Sequence, residues 1–309
     1  MKIAWIGCGV MGTSMLLNLK KGGHTVSAYN RTYEKAAPLL EQGIRVECTI
    51  RDCVSDADVV CTMVGYPKDV EEIYEGDDGI FAHAKAHAVL IDFTTSSPAL
   101  AKKLYTAAKA KGYAMLDAPV SGGDSGAKAA SLSIMTGGDE EVFEQMRPLF
   151  SLLGTGIQYM GEAGSGQHTK ACNQIAVAGA VAAMSEALVY ARAVGLDEQK
   201  MLTAIAKGAA GSWQIDNTAP RVLANDFAPG FYIKHFIKDM HLFSRRWSSR
   251  TSIWICWRLS AICTKHWQAW ERKTTVHRHL CIIMNKYKKK AFASVYAKTF
   301  SFLFFCIFR

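Results

Sequence analysis

Acidic residues are almost absent from the last part of this 309-residue chain. Residues 241–309 hold 14 Lys and Arg against one acid, Glu271, and neither proline nor glycine follows Gly230. Residues 1–240 hold 22 Lys and Arg and 26 Asp and Glu, so the net charge of +9 comes wholly from the tail. The lack of acids excludes the i,i+4 ion pairs that stabilise exposed helices. The tail therefore needs an explanation separate from that of the mildly acidic first 240 residues.

Disulfide and metal patterns are missing as well. The nine cysteines show neither paired nor zinc-like spacing, and no His, Asp and Glu cluster suggests a metal. We interpret the cysteines as reduced thiols of a cytoplasmic protein. No apolar leader precedes the first predicted strand, so we expect no signal peptide. Half of the residues are apolar, which is enough for a sizeable core, and the length suggests two domains.

The strongest local signal is a glycine motif near the start, Gly7-Cys8-Gly9-Val10-Met11-Gly12. It follows a short apolar run, Ile3–Ile6, and precedes an apolar-periodic helix predicted over residues 13–20. In this setting the first glycine permits a tight turn, the second leaves room for a pyrophosphate, and the third lets helix and strand pack closely. The helix N-terminus offers free N–H groups to the phosphates. The motif predicts a dinucleotide site formed by residues 7–12.

The loop after the second predicted strand carries no acid. Folds that bind NAD usually place a carboxylate there for the ribose 2′-hydroxyl, whereas this chain has Asn30-Arg31-Thr32. A cation with neutral donors suits a 2′-phosphate, so we favour NADP, with NAD possible. The alternative is that Arg31 is an ordinary solvated loop residue.

Two further strand ends are predicted to contribute to the ligand site, because such folds bind ligands at the carboxyl ends of parallel strands. Met63, Val64 and Pro67 follow a buried strand and are predicted to line the nicotinamide or adenosine half. Thr95 lies in a hydroxyl-rich turn, residues 94–98, whose hydroxyls helix capping would also explain.

Strands and helices alternate up to residue 162, which predicts a doubly wound α/β domain of the Rossmann type. Residues 161–166 are glycine-rich, and we interpret them as a flexible joint. Residues 167–194 predict one helix of roughly 40 Å, the spine of an all-α substrate and dimerisation domain over residues 163–242. Residues 243–309 form the anomalous tail, so we interpret this second domain as truncated or scrambled.

Two groups of polar residues are candidates for the chemistry. Ser121, Gly122 and Gly123 follow a predicted strand and offer a hydroxyl beside exposed N–H groups, a small nest for a carboxylate. Lys170 lies near the start of the long helix, with Asn173 and Gln174 on the same face. A cation at the positive end of a helix is unfavourable, which suits an acid/base lysine. A simply solvated lysine is an equal alternative on position alone.

Together these motifs resemble the β-hydroxyacid dehydrogenases, a family that includes 3-hydroxyisobutyrate dehydrogenase, tartronate semialdehyde reductase and NADPH-dependent glyoxylate/succinic semialdehyde reductase. The resemblance lies in residues 7–12, in residues 117–123, in Gly164-Ser165-Gly166 with Lys170 and Asn173, and in Lys238-Asp239-Met240. It covers residues 1 to about 242.

The resemblance implies hydride transfer between NADP(H) and a small β-hydroxyacid or semialdehyde, with a homo-oligomer if the C-terminal helices are intact. It implies that Lys170 is the catalytic acid/base and that residues 121–123 bind the substrate carboxylate. Thr95 matches a threonine near the reacting centre. The family has Asn at one or both of the positions i+3 and i+4 after its lysine, and here Gln174 stands at i+4. Phe231, Lys238 and Asp239 match positions that close on substrate and cofactor.

Three interpretations of the tail compete. A basic, aromatic extension could bind nucleic acid. Residues 291–308 could tether the chain to a membrane, although they are short and contain Lys298. The third interpretation, a frameshift near codon 242, explains why the resemblance stops abruptly, and we favour it. We therefore expect neither nucleic acid nor membrane as partner. The alternative to an active enzyme is a non-catalytic or inactive NADP-binding product of a frameshifted gene.

Overall fold

The computed structural model describes residues 1–226 and 233–244. The described chain falls into two compact units, one of residues 1–173 and one that begins at Gln174. The first unit is built on a single sheet, whose strands are β1 (Lys2–Ile6), β2 (Thr25–Tyr29), β3 (Arg45–Glu47), β4 (Val59–Thr62), β5 (Val89–Asp92), β6 (Ala114–Asp117), β7 (Val120–Ser121), β8 (Leu132–Gly138) and β9 (Gly154–Gly161).

Helices connect these strands. In chain order they are α1 (Val10–Lys21), α2 (Tyr33–Ala36), α3 (Ile50–Val54), α4 (Pro67–Glu75), α5 (Ile80–His83), α6 (Pro98–Ala110), α7 (Gly123–Lys128), α8 (Glu140–Ser151) and the long α9 (Ser165–Ala193). A 3-10 turn, Ala37–Leu39, follows α2.

The strand order is β3-β2-β1-β4-β5-β6-β8-β7, and β9 pairs with β8. Strands β1 to β6 pair in parallel, whereas β8 runs antiparallel to β6 and β7. The order reverses between β1 and β4, the topological switch point at which doubly wound folds bind ligands. The prediction of a Rossmann-type sheet is confirmed.

The central strands are buried on both faces, which their continuous apolar runs dictate. Successive side chains of a strand point to opposite faces. Ile3 and Trp5 accordingly belong to one core cluster, with α1 and α8, whereas Ala4 and Ile6 belong to the other, with α4 and α6. This double core fixes the sheet and the loops at its carboxyl edge.

Several predicted boundaries need correction. The helix α1 begins at Val10 rather than residue 13, so Gly12 lies inside it. The helix α4 begins at Pro67 rather than Val70, because proline is favoured in the first helical turn. Residues 33–42 form only a short helix and a 3-10 turn. The sequence analysis missed β9 altogether.

The second unit is helical. Beyond the C-terminal part of α9 it contains α10 (Glu198–Ala206), a π-helical turn (Gln214–Thr218), α11 (Ala219–Leu223) and α12 (Ile233–Ser244). Two apolar clusters hold it together. One joins α9 to α12 through Val181, Phe236 and Met240, and the other joins α9 to α10 through Leu188 and Leu202. The sheet followed by helices confirms the predicted fold class; the boundary predicted at residue 162/163 stays a prediction.

Candidate functional site

The glycine loop is built as a phosphate cradle. Gly9 caps α1, and the first N–H to bond within the helix is that of Thr13, to the Gly9 carbonyl at 2.9 Å. The N–H groups of Val10, Met11 and Gly12 therefore point out of the helix end, as an anion requires. A Cβ on Gly9 would meet no described atom within 4 Å, so this side of the loop is open. The cradle fits a pyrophosphate.

The other two glycines are required by packing. Gly7 adopts a φ of +102°, and a Cβ there would collide with the carbonyl of Met63. A Cβ on Gly12 would collide with the carbonyl of Gly7 and come 2.9 Å from the indole Nε1 of Trp5. That indole donates to the Gly7 carbonyl at 3.1 Å. Trp5, which the sequence analysis treated only as a strand residue, thus supports the loop from the core.

The Asn30-Arg31-Thr32 loop lies beside the glycine loop. The Asn30 side chain accepts from the Cys8 N–H at 3.0 Å and donates to the Thr32 carbonyl at 2.7 Å. Asn30 therefore joins the two loops, and its predicted contact with the cofactor stays a prediction.

Arg31 has an exposed side chain, and its Nη1 lies 3.2 Å from Asp69 Oδ1. Asp69 is in the first turn of α4 and also accepts from the Tyr66 N–H at 3.1 Å. This ion pair places Arg31 near the start of α4, which begins at the predicted cofactor residue Pro67.

A buried polar network supports the loops after β4 and β5. Thr62 donates to Asp92 Oδ1 at 2.8 Å, and the same oxygen accepts from the Thr94 N–H at 3.0 Å. Thr94 Oγ1 then accepts from the Val64 N–H at 3.0 Å. Thr94 is buried, while the predicted site residue Thr95 beside it is half-buried. Met63 and Val64 are also half-buried, so all three have surface available to a ligand.

Helix capping explains one hydroxyl of the turn at residues 94–98. Ser97 Oγ accepts from the Leu100 N–H at 3.1 Å and caps α6. The capping alternative is thus confirmed for Ser97.

The Ser121-Gly122-Gly123 loop leaves the short strand β7 and enters α7. Gly122 has a φ of +137° and Gly123 a φ of +64°, a backbone that favours glycine at both positions. The side chain of Asn18, on α1, donates to the Ala127 carbonyl of α7 at 2.7 Å. The helix that begins at the glycine loop is therefore tied to the helix that begins at the predicted carboxylate loop, a link that the sequence analysis missed.

Lys170 is buried on α9, with 6% of the residue exposed. It is the sixth residue of the helix and lies in the second turn, where the helix dipole has little effect on a side chain because that effect falls off within the first turn. The structure distinguishes Lys170 instead by its burial.

The turn in front of Lys170 is fastened by two buried side chains. Asp117, at the end of β6, accepts from the Gly164 N–H at 2.6 Å and from the Gln167 N–H at 2.9 Å. Gln167 accepts from the Ser96 N–H at 2.9 Å and donates to the Thr94 carbonyl at 2.8 Å. The interpretation of residues 161–166 as a flexible joint is wrong, because this segment is a packed and bonded turn. Burial raises the pKa of Asp117 to about 6, against the opposing effect of the two N–H donors.

In the second unit, Gln174 Nε2 donates to Asp239 Oδ2 at 2.5 Å, and Lys238 Nζ lies 3.2 Å from Asp239 Oδ1. Asp239 is 2% exposed. The predicted site residues Gln174, Lys238 and Asp239 thus form one buried group, in which Asp239 occupies one of the two amide hydrogens of Gln174. Asn173 is half-buried. Phe231 and the tail beyond residue 244 lie outside the described residues.

No group of three or more His, Cys, Asp and Glu that could hold a metal occurs within residues 1–226 and 233–244. A cavity of about 410 Å³, lined by Lys102, Tyr105 and Asp139 among others, contains none of the predicted site residues. The helix α9 is long and apolar enough to cross a membrane, but its most apolar window is 44% buried, and one such helix is weak evidence.

Two family models match the chain. Residues 2–161 match the NAD binding domain of 6-phosphogluconate dehydrogenase, and residues 164–284 match the NAD-binding domain of NADP-dependent 3-hydroxyisobutyrate dehydrogenase. The second match reaches beyond residue 242, where the sequence analysis placed the end of the resemblance.

Individual proteins agree with the family models. An uncharacterized oxidoreductase, YkwC, of Bacillus subtilis is 55% identical over 238 residues, 77% of this chain and 83% of the relative. A probable 3-hydroxyisobutyrate dehydrogenase-like 1, mitochondrial, of Arabidopsis thaliana is 46% identical over 240 residues, 77% of this chain and 72% of the relative. The solved structure of Mycobacterium tuberculosis 3-hydroxyisobutyrate dehydrogenase with L-serine superposes with a TM-score of 0.82 at 30% identity, over 91% of this chain and 98% of that one.

Proposed function

This chain belongs to the β-hydroxyacid dehydrogenase family, and on that premise we propose that it transfers a hydride between NADP(H) and a small β-hydroxyacid or semialdehyde of 3-hydroxyisobutyrate type, with Lys170 as general acid and base. It is an NAD(P)-dependent oxidoreductase; the substrate and the roles of single residues are the proposal. The observation that carries it is the burial of Lys170 on a helix whose first turn is bonded to the ends of β5 and β6. Those strands end at the same edge of the sheet as the glycine loop.

The substrate class is supported by the ligand of a related protein. 3-Hydroxyisobutyrate and the L-serine present with the Mycobacterium tuberculosis enzyme share a carboxylate and a hydroxyl on the β-carbon. In our proposal the hydroxyl of Ser121 and the backbone N–H groups of Gly122 and Gly123 bind the carboxylate, since a nest of this kind suits an anion. Phe231 and Asp239 are proposed to contribute on the helical side.

The cofactor supplies the hydride acceptor or donor at its nicotinamide. The protein moves the proton. In oxidation, neutral Lys170 takes the proton of the substrate hydroxyl as hydride leaves the carbon that bears this hydroxyl. In reduction, the Lys170 ammonium returns the proton to the carbonyl oxygen. Asn173 is proposed to orient that oxygen. Gln174, whose side-chain amide donates to Asp239, is proposed to assist Asn173 in this role.

We favour NADP over NAD because the loop directly after β2, Asn30-Arg31-Thr32, contains no acid. Arg31 with Thr32 is proposed to bind the 2′-phosphate, with Met63, Val64, Pro67, Thr95 and Lys238 along the rest of the cofactor. The exposed guanidinium of Arg31 is free to rotate toward a phosphate while Asp69 holds it near the site. A cation beside a dianionic phosphate forms charge-assisted hydrogen bonds.

The test is NADPH oxidation with a panel of small semialdehydes, and NADP reduction with the matching β-hydroxyacids including 3-hydroxyisobutyrate and L-serine. We expect turnover with substrates that carry a carboxylate and none with their methyl esters, because the nest binds an anion. Equal turnover of acid and ester would contradict the role of residues 121–123.

A second candidate function rests on the charge asymmetry at residue 241. If the tail is read out of frame, the chain is a weakly active or inactive NADP-binding product, because the family's C-terminal helices are replaced. The nucleotide sequence decides this. A second frame downstream of codon 242 should encode an acid-containing amphipathic helical pattern, and the frame-restored protein should exceed this chain in activity. If no frame does so, the frameshift is excluded.

The remaining expectations concern assembly and location. We propose a homo-oligomer for the frame-restored protein, since large apolar side chains such as Tyr190 and Trp213 are more than half exposed in the second unit. Sedimentation of this chain and of the frame-restored chain tests the proposed homo-oligomer.

A cytoplasmic location and the lack of nucleic-acid and membrane partners are also proposed. A DNA-binding assay that compares the full chain with residues 1–240 tests the nucleic-acid alternative.

A further inference from the structure

Two buried side chains outside the predicted site fasten the helix turn that carries Lys170. We propose that Asp117 and Gln167 are positioning residues, which hold the first turn of α9 to the carboxyl ends of β5 and β6 and so set where Lys170 stands. The role of Lys170 itself rests on the function proposed above. The fastening of the turn does not, and it is measurable by itself.

Asp117 acts as a cap supplied from a distant part of the chain. Its two carboxylate oxygens accept from Gly164, immediately before α9, and from Gln167, the third residue of the helix, at 2.6 and 2.9 Å. These are N–H groups that a helix leaves unsatisfied at its start, and a carboxylate there also interacts favourably with the helix dipole. Asp117 is 4% exposed, so water does not replace these bonds.

Gln167 joins the same turn to the loop after β5. Its amide makes two bonds to the backbone there, one from the Ser96 N–H and one to the Thr94 carbonyl, at 2.9 and 2.8 Å. The two bonded groups flank Thr95, which by the family resemblance matches a threonine near the reacting centre. Gln167 is fully buried. One side chain therefore fixes both the loop that presents Thr95 and the helix that presents Lys170.

The packing around these bonds leaves little freedom. A Cβ on Gly137 would come 2.7 Å from Asp117 Oδ1, and one on Gly166 would come 2.8 Å from Asp117 Oδ2. Gly164 adopts a φ of +87°, and a Cβ there would lie 2.9 Å from the Pro98 carbonyl. The glycines of this turn therefore serve close contact rather than flexibility.

Lys170 follows Gln167 by three residues, roughly 4.5 Å along the helix axis and on the same face. A displacement of about 1 Å at a catalytic group can cost ~10²-fold in rate. Loss of the Gln167 bonds should therefore lower the turnover rate by displacing Lys170. It should have little effect on the glycine loop, which is held by Trp5 and Asn30.

The test uses Gln167→Met and Asp117→Asn in the full chain, with Gln158→Met and Asp56→Asn as matched controls. Gln158 is exposed on β9, and Asp56 pairs with Lys2 at the opposite edge of the sheet. We expect Gln167→Met to lower kcat by about 10- to 100-fold with the KM for NADPH within about twofold. Amide hydrogen exchange over residues 94–98 and 162–170 should rise in both site variants and in neither control.

Gln167→Glu gives a signature that general destabilisation would not produce. An ionised Glu accepts from the Ser96 N–H but cannot donate to the Thr94 carbonyl, whereas a protonated Glu can do both. Turnover of this variant relative to the original protein should therefore recover as the pH falls.

The outcomes are separable. Unchanged exchange over residues 162–170 in both site variants overturns the proposal, and so does faster exchange with kcat within about twofold. If the unaltered chain lacks NADPH-dependent turnover, the proposed function fails, while amide exchange still decides whether the two side chains fasten the turn.

Discussion

The glycine loop and the first turn of α9 face the same task, which is to hold a helix N-terminus at the carboxyl edge of the sheet, and they solve it differently. The glycine loop works by the absence of side chains, so that backbone N–H groups stay open to a ligand. The α9 turn instead spends its N–H groups on a buried carboxylate, Asp117. A helix N-terminus with free N–H groups binds an anion. One whose N–H groups are already bonded holds a side chain further along the helix in a fixed position.

The largest expected effect is that of Lys170→Ala. Removing the acid/base group should lower turnover by about 10²–10⁴-fold and leave NADPH binding nearly intact, because the cradle lies on another element. Steady-state kinetics and NADPH fluorescence titration measure the two quantities. Exposed Lys68→Ala is a suitable control. Activity within about tenfold of the original would show that Lys170 is not the acid/base group.

The second prediction concerns the pH dependence of stability, and it follows from the buried carboxyl group of Asp117. The folded-state pKa of Asp117, about 6, lies above its ordinary value of 3.8, so the folded protein binds more protons than the unfolded chain between these values. The stability that this group contributes is complete below pH ~4 and is lost as the pH rises through ~6, at a cost of about 2–3 kcal/mol.

Denaturant unfolding of the original protein and of Asp117→Asn at pH 4.5 and 7 measures this effect. The fall in stability over that range should be smaller in the variant, which cannot ionise. Asp92 raises the pKa of Asp117 through its charge, so Asp92→Asn should move the transition to lower pH. An identical pH dependence in all three proteins would refute the assignment.

A third prediction separates the roles of two glycines in the same loop. Gly9→Ala should fold normally, since its Cβ meets no described atom within 4 Å, yet NADPH should bind about tenfold or more weakly because the methyl group stands where the pyrophosphate would lie. Gly12→Ala should lose stability instead, since its Cβ collides with the Gly7 carbonyl. Thermal unfolding with cofactor titration distinguishes the two, and full NADPH affinity in Gly9→Ala would rule out the cradle.

The smallest effect is expected at Arg31. Arg31→Ala should weaken NADPH binding about five- to tenfold, roughly 1 kcal/mol for an exposed charge, and leave NADH binding within about twofold. Arg51→Ala, also exposed, is the matched control. An equal loss for both cofactors would contradict a contact between Arg31 and the 2′-phosphate.

Much of the fold could be predicted from local patterns. The apolar runs, the glycine spacing and the turns identify the order of strands and helices, and the long apolar helix predicts the second unit. The errors have physical reasons. The strand β9 was missed because it alternates weakly and is partly exposed, and the turn at residues 161–166 was misread because three glycines resemble a linker when their neighbours are unknown.

The residues of the candidate site also differ in whether the sequence could identify them. The residues of the glycine loop, Ser121 and Lys170 could be singled out because short spacing determines their chemistry. Asp117 and Gln167 could not, because their partners lie 47 to 73 residues away in the chain.

The sequence by itself determined the doubly wound sheet, the open phosphate cradle and the family, because each follows from residues that are neighbours in the chain. Only the tertiary structure decided that the turn before α9 is closed, that Asn30 serves the glycine loop, and that Asp239 holds Gln174. Each of these depends on a buried polar group finding a partner across the fold, since burial without one is costly. The open N-terminus of α1 is built to bind an anion, whereas the closed N-terminus of α9 holds a side chain in position. Local sequence spacing reveals only the open one.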